Sequence, residues 1–401
     1  MVYVFAGTGQ AGSAIVDDVF GHRRVSTPAS PLVFNSTIRD LRNLSNVGEA
    51  NQYGIAERHG LVERGTAGFE EQVTGGFGRN PVQADQVMAD HREELVDRLA
   101  AHFDKPDGTP GDIPFAFVCL GLGGGTGCGI APHVAEAIKE YTDGVAQIIG
   151  VAVLPNTKGP IEEDDEQISA GRQAWNTVYG LDRLEETVDG IILVDNQRLA
   201  YEDAAEGRFA EYNEYVASGL VDLISGSTLE RIDPGEYDDV DPPVVDLQDV
   251  VTSLSFDTRG TNPRPGYATI GRSVTMTQSL LGYLLPFVGG QSVDSSALSR
   301  LAASKQTLSD ASPDEAEKAI GLIRAPVEYI SGGGRRIETS TVRRFLESQC
   351  PEVNLGVALT RRNLASFTSL FTYRREDVAR IAEIEERADE YERQNEARQT
   401  V

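Results

Sequence analysis

Residues Phe115 to Gly129, FAFVCLGLGGGTGCG, constrain this chain more than any other stretch. An apolar run of strand length, Phe115 to Leu120, leads directly into glycines around one threonine, and a helical pattern, IAPHVAEAIKEY, follows from Ile130. A strand, a glycine loop and a helix start expose consecutive backbone N–H groups, because glycine has no Cβ and tolerates positive φ. Together with the positive helix end they attract an anion, and phosphate is the obvious one. The same cluster also suits a tight turn between core elements, so the rest of the chain has to decide. The loop lacks the Gly-Lys-Ser/Thr ending of a Walker A sequence and is no kinase loop.

The charge excludes one class of partner. With 62 acidic and 36 basic residues the net charge is -26, opposite in sign to what neutralising nucleic-acid phosphates requires. A dispersed acidic excess suits a salt-rich cytoplasm, where repulsion is screened over about 3 Å at molar ionic strength; an ordinary acidic cytosolic protein is the plainer reading. Three cysteines without a CxxC and five histidines without ligand spacing imply neither disulfides nor a zinc site. No apolar run approaches the ~18 residues of a membrane span, so the expectation is a cytoplasmic protein that would reach a membrane only through a partner.

Val2 to Gly7 reads as a buried first strand, and Gly7-Thr8-Gly9-Gln10-Ala11-Gly12 opens a helix. This GxGxxG suits a dinucleotide-binding dehydrogenase or another phosphate binder, but the second strand, Pro31 to Phe34, ends in Asn35 and not in the acid that a dehydrogenase uses on ribose. A second glycine loop, Gly75-Gly76-Phe77-Gly78-Arg79-Asn80-Pro81, precedes a helix expected over Val82 to Phe103. There Arg79 either pairs with phosphate or is a solvated surface arginine. Val145 to Leu154 and Asp189 to Val194 read as strands buried on both faces, with a helix from about Asp165 to Glu186 between them and Asp195-Asn196 after them. The repeated β-α order predicts a doubly wound parallel sheet with ligands at the carboxyl ends of its strands.

A helix from about Ala204 to Ser225 carries Phe209 and Asn213 at i and i+4, one able to stack on a base and the other to bond its edge; Phe209 as a plain core residue is the alternative. A stretch rich in Asp, Pro and Gly over 227–243 separates this half from the rest. Asp246 and Asp249 then share one face of a helix start, where capping alone accounts for one of them. Farther on, Tyr267 to Thr277, Ile320 to Ile330, Val353 to Leu359 and Leu364 to Phe371 read as strands, Thr339 to Ser348 as a helix, and Arg374 to Gln399 as a charged helix with an apolar stripe at Val378, Ile381, Ile384, Ala388 and Tyr391.

Gly123-Gly124-Gly125-Thr126-Gly127-Cys128-Gly129 closely resembles the GGGTGSG signature of the tubulin/FtsZ superfamily, with cysteine in place of the usual serine or alanine. The aromatic-xxx-Asn of Phe209/Asn213 and the pair Asp246/Asp249 follow in that family's order and spacing. GTGQAG and the apolar residues before Asp246, with Val244 where FtsZ has asparagine, are most similar to the archaeal CetZ group. The resemblance, which runs from residue 1 to about 373, implies a doubly wound GTPase domain with its central helix (1–226) and a catalytic loop with a smaller α/β domain (227–373); the charged terminal helix (374–401) is read from its own pattern. It implies GTP/GDP and Mg²⁺ as ligands. It also implies head-to-tail self-assembly and a part in cell shape.

By residue, the resemblance assigns Gly9, Gln10, Ala11, Gly12, Asn35, Gly78, Gly123, Gly124, Gly125, Thr126 and Gly127 to the nucleotide; Arg79 is an addition to the family's loop and joins them as a candidate by its own charge. Arg172 goes to the phosphates, Glu162 (or its neighbours Glu163 and Asp164) to ribose, and Asn196, Phe209 and Asn213 to guanine. Asp246 and Asp249 would act on the nucleotide of the neighbouring subunit, so hydrolysis would wait for assembly. Two readings compete with this one: a nucleotide-binding structural or regulatory homologue of low turnover, favoured by Cys128 and the acidic insert, and an NAD-dependent oxidoreductase, left with GxGxxG alone.

Overall fold

The computed structural model describes residues 2–23, 25–55, 61–63, 77–158, 169–197, 205–224, 245–256, 264–277, 292–308, 310–330 and 337–399. The first half contains β1 (Tyr3–Thr8), α1 (Gly9–Gly21), β2 (Ala29–Asn35), β3 (Gln52–Gly54), β4 (Val62–Glu63), α2 (Pro81–Asp90), α3 (Arg92–Phe103), β5 (Phe115–Gly121), α4 (Gly125–Tyr141), β6 (Gln147–Leu154), α5 (Ala170–Glu185), β7 (Gly190–Asp195) and α6 (Ala205–Ile224). The second contains α7 (Leu247–Ser253), β8 (Ser255–Phe256), β9 (Arg264–Pro265), β10 (Tyr267–Met276), α8 (Ser295–Ser304), β11 (Lys318–Ala325), α9 (Thr339–Glu347), β12 (Glu352–Leu359), β13 (Leu364–Tyr373) and α10 (Ala379–Gln399). Glu162, Glu163, Asp164, Gly75, Gly76, Val244 and the acidic insert lie outside the described residues.

Eleven strands form one sheet in the order β12-β11-β13-β10-β7-β6-β5-β1-β2-β3-β4. Successive residues of each strand feed opposite cores. Tyr3, Phe5, Phe117 and Ile192 meet Val16 of α1 and Val216 and Leu220 of α6, while Val4, Ala6, Val118 and Leu193 lie in the core that holds Ile130, Val134 and Ile138 of α4. Helices on both faces of a largely parallel sheet are the α/β architecture expected from the β-α order.

The register explains where a ligand can sit. Thr8 pairs with Phe34 and Leu120, Gly121 with Val153, and Leu154 with Asp195, so β1, β2, β5, β6 and β7 end together on one edge. The chain leaves β1 for β2 on one side and later returns to β5 on the other, which makes the β1/β5 gap the switch point of the sheet.

Five features differ from what the sequence predicts. The helix expected over 82–103 breaks at His91, whose backbone (φ -113°, ψ 21°) leaves the helical region and whose side chain pairs with Glu94 at 3.0 Å. The strand expected over 320–330 stops at Ala325, because Pro326 has no N–H to give the ladder, and a 3-10 turn over Val327–Tyr329 follows. The terminal helix begins at Ala379, after a 3-10 turn over Arg375–Asp377. The α8 helix and the short strands β3, β4, β8 and β9 are additions to the expected elements, and Asp294 caps α8 by accepting from the Ser296 and Ala297 N–H groups. Finally, β10 pairs with β7, Tyr267 to Thr269 against Ile191 to Leu193, so the second unit continues the sheet of the first.

Candidate functional site

Three glycine-bearing loops meet at the switch point. At the first, Gly9 has φ +67°, a left-handed conformation that glycine adopts without a Cβ penalty, and a Cβ there would stand 3.1 Å from the Gly127 nitrogen. Gly12 lies so close to β5 that a Cβ would fall 2.0 Å from the Cys119 carbonyl oxygen. Thr8 Oγ1 donates to that same oxygen at 3.3 Å. Gln10 is exposed, and Ala11 lies against Gly121.

In the signature loop Gly124 precedes α4, exposed and with no atom within 4 Å of its Cβ position, whereas Gly125 is enclosed. A Cβ on Gly125 would lie 2.4 Å from the Arg79 carbonyl carbon and the Asn80 nitrogen. The third loop is therefore pressed onto the second. Its chain turns through two consecutive left-handed residues, Gly78 (φ 58°) and Arg79 (φ 61°). For arginine such backbone costs about 1 kcal/mol, so something must hold it. Asn176 does so: fully buried in α5, it donates Nδ2 to both the Arg79 and the Gly123 carbonyls at 3.2 Å. Asn80 then caps α2 by accepting from Val82 N–H at 3.1 Å. Sequence reasoning misses Asn176, which shows no local motif.

Thr126 and Gly127 lie in the first turn of α4, among the orphan N–H groups of a helix start. Cys128 is turned away from that edge. Its buried thiol donates to the Leu122 carbonyl at 2.8 Å, and burial raises its pKa far above the usual range. The cysteine is a packing residue against Gly180 and takes no part in the loop's outer surface.

Arg172 lies in the first turn of α5, capped by Ser169, whose Oγ accepts from the Arg172 N–H at 3.1 Å. The next residue, Gln173, puts its Oε1 within 3.1 Å of the Cβ position of Gly123, so Arg172 is on the element that abuts the signature loop. At the end of β2, Asn35 is buried and accepts from Ser36 N–H at 2.7 Å.

The other end of the edge is assembled by one carbonyl. Thr307 O accepts from Asp195 N–H at 3.0 Å and from Tyr212 Oη at 2.9 Å, which fixes the end of β7 relative to α6. Asn196 and Asn213 are the next residues after those two donors, both half-buried. Phe209, one helical turn before Asn213, is 42% exposed and so is no core residue. Asp195 is buried, and its desolvated carboxyl is pushed up in pKa against the opposing pull of the Arg380 guanidinium. Its Oδ2 meets Arg380 Nε at 3.3 Å, and its Oδ1 accepts from Gln197 N–H at 2.9 Å.

The chemistry of this edge suits an anion. Gly78 and Gly124 leave open space above the backbone. The helices α1, α2, α4 and α5 all begin there, with their positive ends toward the edge. Three buried polar atoms along it, Thr37 Oγ1, Asn176 Oδ1 and Gln197 Oε1, have no partner among the described residues, as where a ligand or water completes the bonding.

Asp246 and Asp249 are placed differently. They form a reciprocal capping box at the start of α7: Asp246 Oδ1 accepts from Asp249 N–H at 2.9 Å, and Asp249 Oδ2 accepts from Asp246 N–H at 3.0 Å. The principal neighbours of α7 are α6, β8 and β11, none of which carries a glycine loop.

Residues 3–202 match the family model for the GTPase domain of the tubulin/FtsZ family. A tubulin-like protein CetZ of Pyrococcus horikoshii is 30% identical over 237 residues, 58% of this chain and 54% of that protein; the match spans about half the length of that relative. CetZ of Methanosaeta thermophila superposes with a TM-score of 0.71 over 100% of this chain and 94% of that one, at 20% identity. A GTPγS-bound protofilament of CetZ2 from Haloferax volcanii does so with a TM-score of 0.69 over 99% and 100%, also at 20% identity. At that identity the two structures speak to the fold.

Proposed function

This chain belongs to the tubulin/FtsZ superfamily, and from that premise we propose that it binds GTP at the edge of β1, β5, β6 and β7 and hydrolyses it on head-to-tail assembly. The observation that carries the reading is the mutual packing of the three glycine loops, Gly9 on Gly127 and Gly125 on Arg79 and Asn80, around a helix start with open space above it. Backbone N–H groups of Gly9 to Gly12 and Gly123 to Gly127 would hold the phosphates, with Gly78, Arg79 and Arg172 beside them. Phe209 would stack on the base while Asn196 and Asn213 bond its edge; Asn35 and Glu162 would lie against the rest of the nucleoside. A Mg²⁺ bound with the nucleotide would neutralise phosphate charge; among the described residues no group of three His, Cys, Asp or Glu side chains is placed to hold a metal ion.

The acids supply the remaining chemistry. In the capping box each carboxylate has one oxygen engaged by backbone, Oδ1 of Asp246 and Oδ2 of Asp249. The second oxygen of each is the group proposed to orient water against the γ-phosphate of an adjoining copy, breaking the bond to the β-phosphate oxygen and releasing GDP and phosphate. Three units, 1–226, 227–373 and 374–401, would then serve as pocket, acid donor with smaller domain, and terminal helix of a cytoplasmic filament acting in cell shape. Among the described residues no helix is long and apolar enough to cross a membrane.

A second reading rests on the same capping box. Reciprocal capping accounts for both acids without any chemistry, as in a nucleotide-binding homologue of low turnover. Cys128 no longer supports that reading, because its thiol is committed to the core. GTP turnover measured against protein concentration, with pelleting at low and at molar salt, separates the two. Turnover that rises faster than linearly with concentration supports assembly-coupled hydrolysis; nucleotide binding with turnover at background at every concentration removes it.

A further inference from the structure

Arg380, in the first turn of α10, is the largest fully buried side chain among the described residues. A buried guanidinium demands partners for its fixed fork of donors, and these come from the candidate nucleotide edge. Nε meets Asp195 Oδ2 at 3.3 Å, Nη1 donates to Thr157 Oγ1 at 2.9 Å, and Nη2 donates to the Pro155 carbonyl at 2.8 Å. Glu383, one turn on, adds a carboxylate 3.0 Å from Nη1. One side chain of the last helix thus ties together the ends of β6 and β7.

Both ties lead directly to the ligand edge. Pro155 packs on the signature loop so closely that a Cβ on Gly123 would meet its Cβ at 2.6 Å, and the Gly123 carbonyl is the one held by Asn176. Asp195 immediately precedes Asn196 and fixes Gln197 through its N–H at 2.9 Å. The phosphate side and the base side therefore share one anchor, and it lies outside the domain that carries them.

We propose that Arg380 is a positioning residue for the nucleotide site, so that docking of α10 and binding of nucleotide stabilise each other. This rests on the nucleotide reading above. By linkage the coupling is reciprocal: nucleotide tightens the docked helix, and anything that lifts α10 weakens nucleotide. The rest of the helix gives it something to release, since α10 is held on α5 through Ile381, Ile384 and Ala388 and through a bond from Trp175 Nε1 to Glu392 at 2.5 Å.

The test is Arg380→Lys in the full chain. Lysine keeps a cation beside Asp195, so no buried carboxylate is left unpaired, but one ammonium cannot span Asp195, Thr157 and Pro155 together. The expected result is a GDP dissociation constant raised roughly tenfold with a melting temperature within a few degrees of wild type. An affinity within twofold of wild type overturns the inference. Hydrogen exchange on the wild-type chain tests the same coupling without any variant. Under conditions where light scattering shows no polymer, GDP should slow exchange over 121–129 and also over 379–387, but not in α8. Protection of 121–129 with unchanged exchange over 379–387 overturns the coupling alone, whereas no protection of 121–129 sinks the nucleotide reading and this inference with it.

Discussion

The glycine-loop edge and the α7 helix start are both candidate chemistry, and they are built in opposite ways. At the edge, Gly9 rests on Gly127, Gly125 on Arg79, and Asn176 joins two loops, so every part is placed by a residue distant in sequence. At α7, Asp246 and Asp249 place each other across three residues. The first is completed by the chain's own fold. The second is complete as a cap and, in the proposed reaction, would have to be brought to the nucleotide of another copy. If the two act as one site, as proposed, chemistry would be coupled to contact between copies, since a heterologous interface repeats the same junction along a filament.

The contrast predicts different failures at its two ends. The largest expected effect is at the convergent edge: Gly125→Val forces a branched side chain against Arg79 and Asn80 backbone, and the displaced loop should cost about 3 kcal/mol, roughly 150-fold in GTP affinity. Equilibrium titration with GTP measures this, and near-wild-type affinity would mean that the two loops do not work as one cradle. Next comes the self-contained end. Asp249→Asn keeps an oxygen to accept from Asp246 N–H, so stability should hold, yet GTP turnover should fall about 100-fold; Asp249→Ala should lose the turnover and also about 1 kcal/mol of stability. If Asp249→Asn turns over GTP normally while Asp249→Ala is merely less stable, the acids are a cap and nothing more.

Smaller effects sharpen the edge itself. Asn213→Ala should weaken GTP about tenfold and leave ATP nearly unchanged, because only a base edge matched to the amide loses bonds; equal losses in parallel titrations would remove Asn213 from the site. The smallest concerns α1, the helix that opens the edge. There Asp18 is pushed up to about 6 by burial, then by Glu214 and Asp17. A carboxyl raised in the fold binds its proton there more readily than in the unfolded chain, so its contribution falls as pH rises from about 4 to 6. Asp18→Asn should therefore match wild type near pH 4 and gain about 1 kcal/mol by pH 7, after allowance for the group's partial exposure. Thermal melts across that range check the sign.

What can be read from the sequence follows the same division. Loops that need glycine and acids that cap a helix are local demands, written in neighbouring residues, and Gly9, Gly125, Asp246 and Asp249 are legible through them. Asn176, Thr307 and Arg380 act on residues far along the chain, and nothing within a few positions of them announces it. The break at His91 escapes because no proline or glycine marks it. The continuity of β7 with β10 escapes because a composition shift resembles a domain boundary whether or not the sheet crosses it. Phe209 is an ambiguous aromatic in sequence, and its exposure removes the reading as a plain core residue.

That continuity also decides how the molecule bears force. β7 joins β10 through Tyr267 to Thr269 alone, while β10 and β13 run together from Tyr267 to Met276 and from Leu364 to Tyr373. The β7–β10 ladder is the shorter of these two, so in the proposed filament a load passing from the first half of the chain to the second would fall on this seam. The α6 helix spans it like a strut: Tyr212 is tied to the Thr307 carbonyl on one stretch, and Asp222 is gripped by Arg272 at 2.7 Å and Thr368 at 2.8 Å on the next. Because the same helix carries Phe209 and Asn213, tension across the seam would reach the residues proposed to hold the base.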